Sequence, residues 1–280
     1  MGLKDIVLHM PDVAAATSLL NAAVPLARRH DSHLIGINIY ESTVPLAMVT
    51  DGYMDPATVA RFAEEHKRAA LENAAKVQAI FEERLRMEAL SGEWRTVDGP
   101  ISDTLCLHAR YADLSMFSRP SGEDGDISLI EDVLFTSGRP ILVVPQAFPC
   151  ESIGERILIG WNATRESARA VGDALPLLGK AGMVRVLTIS TSQDDTNTRE
   201  LVAAEDIARH LARHGVKVTA GVATAGMLGP YDILLNEMSD VDADLLVIGG
   251  YGHGRMREML LGGVTRDMIR HGTGPVMLSH

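Results

Sequence analysis

Aromatic residues and cysteines are scarce in this chain. Only 4% of its 280 residues are aromatic, so the core is expected to be aliphatic, as in parallel sheets covered by helices. The two cysteines, Cys106 and Cys150, form neither a zinc-binding spacing nor a disulfide framework, and Cys106 is interpreted as a small buried apolar residue. A reducing compartment, the cytoplasm, is therefore expected.

Clusters of positive charge and long apolar runs are also missing. The formal net charge is −11 and no stretch concentrates lysine and arginine, which argues against nucleic acid and anionic membranes as partners. No apolar run approaches the length of a membrane span, and the chain leads directly into a predicted strand without the pattern of a signal peptide. With 46% apolar and 22% charged residues, the composition is that of a globular protein.

The apolar pattern predicts alternating strands and helices, and this alternation occurs twice. The first copy has predicted strands at 4–9, 32–39, 93–97, 112–117 and 140–145, with helices at 12–29, 57–90, 101–110 and 128–136. The second copy has predicted strands at 155–160, 184–190, 216–223, 243–248 and 275–279, with helices at 166–178, 198–214, 229–239 and one that opens at 262–263. Each copy therefore predicts an α/β domain with a doubly wound parallel sheet.

The repeat predicts two tandem domains, 1–148 and 154–280, joined by a linker at about 146–154. Two related domains most simply pack as an internal pseudo-dimer. Because the chain ends on a strand, we expect residues 275–279 to pair with residues 140–144 of the other half. The long helix at 57–90 is the main extra feature of the first copy, and we consider it as an assembly surface for a homodimer.

A run of glycines follows the most apolar predicted strand of the second copy. Glycines at 249, 250, 252 and 254 leave the backbone bare, and Gly262-Gly263 opens a helix, with nine residues between Gly252 and Gly262. The first N–H groups of a helix have no partner within it, so they suit a phosphate. This pattern predicts a phosphate cradle, while the alternative is a tight strand-to-helix connection without a ligand.

Gly249-x-x-Gly252, nine residues, and then Gly262-Gly263-Val264-Thr265 resembles the nucleotide-binding signature of the universal stress protein family. The resemblance covers the chain as two tandem copies, and it is clear in the second copy and degenerate in the first. It implies a Rossmann-like adenine-nucleotide-binding fold that is commonly dimeric or tandem, and cytoplasmic. The implied cofactor is ATP or AMP, with or without Mg²⁺.

The resemblance also implies roles for residues of this chain. The residues that would surround ribose and phosphates are Gly249, Gly252, Gly262, Val264 and Thr265. Ile189, at the end of the second strand of this copy, would lie near the base. Asn162 stands where the family has an aspartate, so an acceptor is kept and a charge is lost. Gly263 stands where the family has serine or threonine, so its N–H remains while the hydroxyl is absent.

The equivalent loop of the first copy, residues 118–126, is acidic instead of glycine-rich. The carboxylates near the expected phosphate position are Glu123, Asp124, Asp126, Glu131 and Asp132. Because like charges in one site repel, we do not expect this half to bind nucleotide. Ser128 and Glu131 have the spacing of a capping box, which would cap the following helix without a ligand.

Several other residues allow a functional and a structural interpretation. Trp161 either flanks a base or packs beside its strand, and the second of these is the more common role. His66, on the apolar face of the long helix, is interpreted as a core or interface histidine. Asp242 and Asp244 could indicate a metal site, but Asp244, which precedes the buried strand, is interpreted as a cap of the helix-to-strand turn. No Ser-His-Asp, Cys-His or zinc-binding arrangement is recognisable.

Three functions are compatible with these features. The first is a tandem universal stress protein that binds an adenine nucleotide in its second half and acts as a sensor or regulator, with slow hydrolysis at most. The second is a nucleotide-free scaffold or interaction protein, which Asn162 and Gly263 favour. The third is a nucleotide-processing enzyme, against which the missing catalytic lysine or histidine pattern argues.

Overall fold

A computed structural model describes residues 2–42, 56–122, 126–146, 152–190, 198–226, 228–250 and 263–280. These residues contain a sheet of ten strands in the order β3-β2-β1-β4-β5-β10-β9-β6-β7-β8. The strands of the first half are β1 (Asp5–His9), β2 (His33–Tyr40), β3 (Gly92–Asp98), β4 (Leu114–Ser118) and β5 (Ile141–Val144). Those of the second half are β6 (Arg156–Gly160), β7 (Met183–Ser190), β8 (Val218–Thr224), β9 (Leu245–Gly249) and β10 (Val276–Ser279). Within each half all neighbouring strands are parallel, which confirms the predicted doubly wound α/β class.

The two halves join edge to edge through their last strands. β10 pairs antiparallel with β5, with Val276 opposite Val143 and Leu278 opposite Ile141. This confirms the predicted pairing of the C-terminal strand with the other half. Since each last strand would otherwise expose an unpaired edge, the pairing joins the two five-stranded sheets into one.

Eight helices lie in the described part of the chain and cover both faces of the sheet. They are α1 (Val13–His30), α2 (Pro56–Glu88), α3 (Ile101–Ala109), α4 (Ser128–Thr136), α5 (Arg165–Leu178), α6 (Thr198–Arg213), α7 (Pro230–Asp240) and α8 (Gly263–His271). Buried residues of α1, α2, α5 and α6 share one core with the sheet, and those of α3, α4, α7 and α8 share the other. Each half therefore places two helices on each face, as a doubly wound fold requires.

Equivalent aspartates make equivalent contacts in the two copies of the repeat. The Asp113 carboxylate accepts hydrogen bonds from the backbone N–H groups of Lys4 and Asp5, at 2.6 and 3.1 Å. The Asp244 carboxylate accepts from the N–H groups of Gly154 (2.9 Å) and Arg156 (3.1 Å). Asp244 thus caps the start of β6, so the prediction that it caps the turn before its own strand is wrong. Among the described residues, no group of three metal-ligating side chains occurs.

The long helix α2 is only partly covered. Val77, Phe81 and Leu85 are buried against the sheet, whereas Phe62 is 47% exposed. His66 is also exposed, so the first of its two predicted roles, in the core, is wrong, and the second, at an interface, stays a prediction. A helix of 33 residues is about 50 Å long, roughly twice the length of an eight-residue strand, so its first turns extend beyond the sheet.

The capping box predicted for α4 is also wrong. Ser128 is the first helical residue, and the N-cap residue Ile127 contributes no side-chain hydrogen bond. The Asp126 carboxylate instead accepts from the Ser128 N–H (2.8 Å) and from its Oγ–H (3.0 Å). The interpretation of Cys106 is confirmed, because the residue is buried and burial raises the pKa of its thiol.

Candidate functional site

The candidate site lies at the switch point of the second half, where β6 and β9 are neighbours. The connections after Gly160 and Gly249 leave the carboxyl ends of these strands in opposite directions, and ligands of open α/β sheets bind in the crevice this creates. The strand before the crevice is fully apolar, since Leu245, Leu246 and Val247 are all buried. The sequence therefore placed the glycine run at the correct end of a buried strand.

Gly249 packs against the first turn of α5. A Cβ atom on Gly249 would lie 2.5 Å from the backbone nitrogen of Ser167 and 2.6 Å from the carbonyl carbon of Glu166. Backbone atoms cannot move aside as a flexible side chain can, so the α5 terminus approaches this strand only because a glycine is present. This close approach is a packing reason for Gly249 that the sequence motif did not indicate.

We expect Gly249→Ala to lower the free energy of unfolding by about 1–3 kcal/mol, because the added methyl group overpacks the contact with α5. Gly172→Ala, on the exposed side of α5, is the matched control, since nothing lies within 4 Å of its Cβ position. The control should raise the stability by about 0.5–1 kcal/mol through helix propensity. Urea unfolding followed by circular dichroism measures both changes, and equal stabilities of the two variants would contradict this account.

Asn162 helps to begin α5. Its Oδ1 accepts hydrogen bonds from the Thr164 hydroxyl (2.8 Å) and from the Thr164 N–H (3.3 Å). Thr164 is the N-cap of α5, and it exchanges hydrogen bonds with Ser167 as a capping box. The exposed Asn162 side chain therefore lies beside the crevice, with its oxygen already used to hold the cap.

The other predicted nucleotide-site residues are distributed over β7 and α8. Ile189 is half-buried near the end of β7 and packs against the core, as does Val264 in the first turn of α8. Gly263 is exposed and opens α8, and Thr265 is buried in its first turn. Gly252 and Gly262 lie outside the described residues. Trp161 packs against the core, which agrees with its structural interpretation.

The far end of α8 is held by an arginine from the other half. The Arg119 Nε–H donates to the carbonyl oxygen of Ile269 (2.7 Å), and its Nη2 donates to those of Met268 (3.2 Å) and Gly274 (3.3 Å). Its Nη1 donates to the carbonyl oxygen of Gly272. Burial lowers the pKa of Arg119 to about 10, so the guanidinium is protonated at neutral pH. A buried cation thus satisfies the carbonyl end of α8.

Arg119 was missed in the sequence, although the internal repeat carries a signal for it. Its backbone N–H donates to the Val144 carbonyl at 2.8 Å, as the Gly250 N–H donates to the Ser279 carbonyl at 2.8 Å. Arg119 therefore occupies the position of Gly250 in the other copy. A charged residue directly after a buried strand, at a position where the other copy has glycine, indicates that the charged side chain has a specific partner in the fold.

The equivalent region of the first half is acidic at the positions that the structure describes. Asp126 accepts two hydrogen bonds from Ser128, and these bonds lower the pKa of Asp126, so this carboxylate is ionised at neutral pH. Glu131 lies 3.6 Å from the Arg266 guanidinium of the other half, and Asp132 accepts from the Ser102 hydroxyl at 2.8 Å. Glu123 and Asp124 lie outside the described residues. Two of the predicted carboxylates are therefore engaged with neighbouring helices instead of lying free at a common site.

A protein-family model matches the second half of the chain. Residues 154–280 match the model of the universal stress protein family. A comparison with curated protein sequences found no match. In the described residues, no helix is both long and apolar enough to cross a membrane.

Solved structures resemble the chain over its whole length. A universal stress protein from Archaeoglobus fulgidus aligns with a TM-score of 0.75 at 15% identity, covering 98% of this chain and 95% of that chain. A protein of unknown function from Pseudomonas aeruginosa aligns with a TM-score of 0.60 at 15% identity, covering 99% and 92% of the two chains. A universal stress protein family member from Arabidopsis thaliana, solved with AMP bound, has a TM-score of 0.34 at 20% identity and covers 44% and 89%. The first two comparisons show that other proteins share this fold from end to end.

Proposed function

Because residues 154–280 match the universal stress protein family, we propose that the second half of this chain binds an adenine nucleotide, ATP or AMP. The protein then acts as a cytoplasmic sensor or regulator in a stress response. The observation that carries this proposal is the glycine motif at the end of a buried strand. β9 ends at Gly249 and α8 begins at Gly263, so the rest of the motif connects the crevice to a helix N-terminus.

In this proposal the motif backbone holds the phosphates and ribose. The glycines Gly249, Gly252 and Gly262 allow the nucleotide to approach the main chain, and the free N–H groups at Gly263 and Val264 donate to phosphate oxygens. Asn162 and Ile189 flank the ribose and base. Mg²⁺, if it accompanies ATP, is held by the phosphates. Hydrolysis is slow, because no general base is recognisable beside the motif.

The domain boundaries 1–148 and 154–280 form part of the same proposal. The first domain is a degenerate copy that does not bind nucleotide, and it supports the second through the β5–β10 pairing and Arg119. Two tandem domains that pair in this way act as an internal pseudo-dimer. A further homodimer would use surface outside this pairing, for which the exposed first turns of α2 are the candidate.

The alternative function is a nucleotide-free scaffold, and two observations favour it. The first is that the Asn162 Oδ1 already accepts a hydrogen bond from Thr164. The second is that the largely buried Glu166 carboxylate belongs to the helix turn that packs against Gly249. A carboxylate beside the phosphates would weaken their binding unless Arg165, which lies 2.9 Å from it, compensates the charge.

Calorimetric titration of ATP, and separately of AMP, into the pure protein tests the proposal. We expect saturable binding at one site per chain, weakened by at least about tenfold in the variant Gly252→Val/Gly262→Val, because side chains block the approach to the backbone. Gly172→Val is the control at an open helix position and should bind like the original protein. Circular dichroism establishes that each variant is folded.

The contrary result is equally informative. If the folded protein gives no heat with either nucleotide and releases none when it is denatured, the scaffold function is supported and the glycines are a structural turn. Rapid turnover of ATP with Mg²⁺ would instead indicate an enzyme.

A further inference from the structure

A cavity of about 230 Å³ lies in the first half at the position that corresponds to the proposed nucleotide site. It opens at the carboxyl ends of β1 and β4, the switch point of that half, and its lining includes His9, Asp12, Phe117, Asp126 and Ile130. Open α/β sheets bind ligands at this point. The volume is below the range of ordinary drug-sized pockets and suits a ligand of roughly ten non-hydrogen atoms or fewer.

The charges of this cavity are unfavourable for a phosphate. Asp126 is ionised because its hydrogen bonds to Ser128 lower its pKa, and Asp12 contributes a second carboxylate. Arg119 is the one lysine or arginine among the described lining residues, and its N–H groups are directed to carbonyl oxygens of the other half. The positive charge of Arg270 from the other half also lowers the pKa of Asp126, so that carboxylate has a cation near it. The Asp12 carboxylate is therefore the group that favours a positively charged ligand.

His9 supplies a polar group without a partner at the inner wall of the cavity. The residue is 9% exposed, and neither ring nitrogen has a hydrogen-bond partner among the residues that the structure describes. Burial lowers the pKa of His9 to about 4, although the nearby Asp12 carboxylate raises it, so the imidazole is neutral. A neutral imidazole has one nitrogen that accepts a hydrogen bond, and this nitrogen can accept from a donor that enters the cavity.

The wall beside these groups is apolar. Phe117 and Ile130 are buried, and the ring centroids of Phe117 and His9 are 6.0 Å apart. At the mouth, Asp12 uses Oδ1 to accept from the Ala15 N–H at 2.8 Å, and this bond caps α1. Its second oxygen has no partner among the described residues. The cavity thus combines an apolar wall, a neutral acceptor within and a carboxylate at the entrance.

We propose that this cavity binds a small organic cation, an ammonium on a short apolar or aromatic body. The ammonium N–H groups donate to the Asp12 carboxylate and to the accepting nitrogen of His9, and the carbon body lies against Phe117 and Ile130. The tandem chain then has two different sites, one for an anionic nucleotide and one for a cation. This second site does not depend on whether the nucleotide binds.

Three probes of similar size and different charge test this proposal. Phenethylammonium, 2-phenylethanol and phenylacetate are titrated into the full chain by calorimetry, with n-hexylammonium as a second cation, and proton NMR follows the His9 ring signals. We expect at least one ammonium to bind saturably, at least about tenfold more tightly than the alcohol and the carboxylate, and to shift the His9 signals. ATP should not displace it.

A pair of matched variants locates the site. Asp12→Asn removes the charge while asparagine still caps α1, so the fold is kept and cation affinity should fall at least about tenfold. Asp31→Asn removes a charge at the opposite, exposed end of α1 and should leave the affinity unchanged. The proposal is overturned if neither ammonium binds at millimolar concentration, if all probes bind alike, or if Asp12→Asn binds as tightly as Asp31→Asn.

Discussion

Replacing Arg119 with methionine should lower the free energy of unfolding by about 3–5 kcal/mol. Methionine retains apolar contact, but it donates no hydrogen bond. The carbonyl oxygens of Met268, Ile269, Gly272 and Gly274 would then lose the donors that the guanidinium supplies between the two halves. Chemical denaturation monitored by circular dichroism, with the whole unfolding curve fitted, measures the loss.

Two further variants make the Arg119 experiment specific. Arg119→Lys retains the charge but not the planar fork of N–H groups, so its stability should lie between those of the original protein and the methionine variant. Arg110→Met changes an exposed arginine of the same half and should cost less than about 0.5 kcal/mol. A cost below about 1 kcal/mol for Arg119→Met would show that the contact is not a main link between the halves.

The same replacement should also affect the proposed nucleotide site. Arg119 holds the last turn of α8, and the first turn of that helix begins at Gly263, where the phosphates are expected. If Arg119→Met stays folded at low temperature, the nucleotide affinity should fall together with the stability. This coupling would give the degenerate half a role in binding even though it holds no nucleotide itself.

Acid should destabilise the protein through His9. The folded state lowers the pKa of His9 from 6.5 to about 4, so between these values the unfolded chain takes up a proton that the folded chain does not. Stability therefore falls as the pH falls through this window, by about 3 kcal/mol at pH 4 for this one residue. Well above pH 6.5 the imidazole is neutral in both states and its contribution to the pH dependence vanishes.

His9→Gln isolates this contribution, because glutamine is polar and does not titrate. The stability difference between pH 7 and pH 4, measured by urea unfolding, should be about 3 kcal/mol smaller in this variant than in the original protein. Part of the acid sensitivity should remain, since burial also lowers the pKa of His30 to about 4. The exposed His66→Gln is the control, and an equal pH dependence in both variants would refute the assignment to His9.

The order of elements could be predicted from the sequence because strands and helices follow local apolar patterns. A run such as Leu245–Ile248, which is buried on both faces, has no alternation and ends at glycine, and the structure places β9 there. The repeated pattern of strands and helices predicted two similar halves. The predicted strand at residues 275–279 led us to expect the β5–β10 pairing. These features depend on neighbouring residues or on the comparison of one copy with the other.

The tertiary structure alone decided which side chains and backbones meet across the fold. Arg119 and Ile269, whose contact closes α8, lie 150 residues apart, and no local pattern specifies such a contact. Periodicity showed the apolar face of α2 but not that its first turns extend past the sheet and leave His66 uncovered. The sequence likewise showed a glycine at 249 and a histidine at 9. Only the packed fold brings a helix terminus against Gly249 and removes enough water from His9 to keep it neutral, because burial depends on all surrounding elements together.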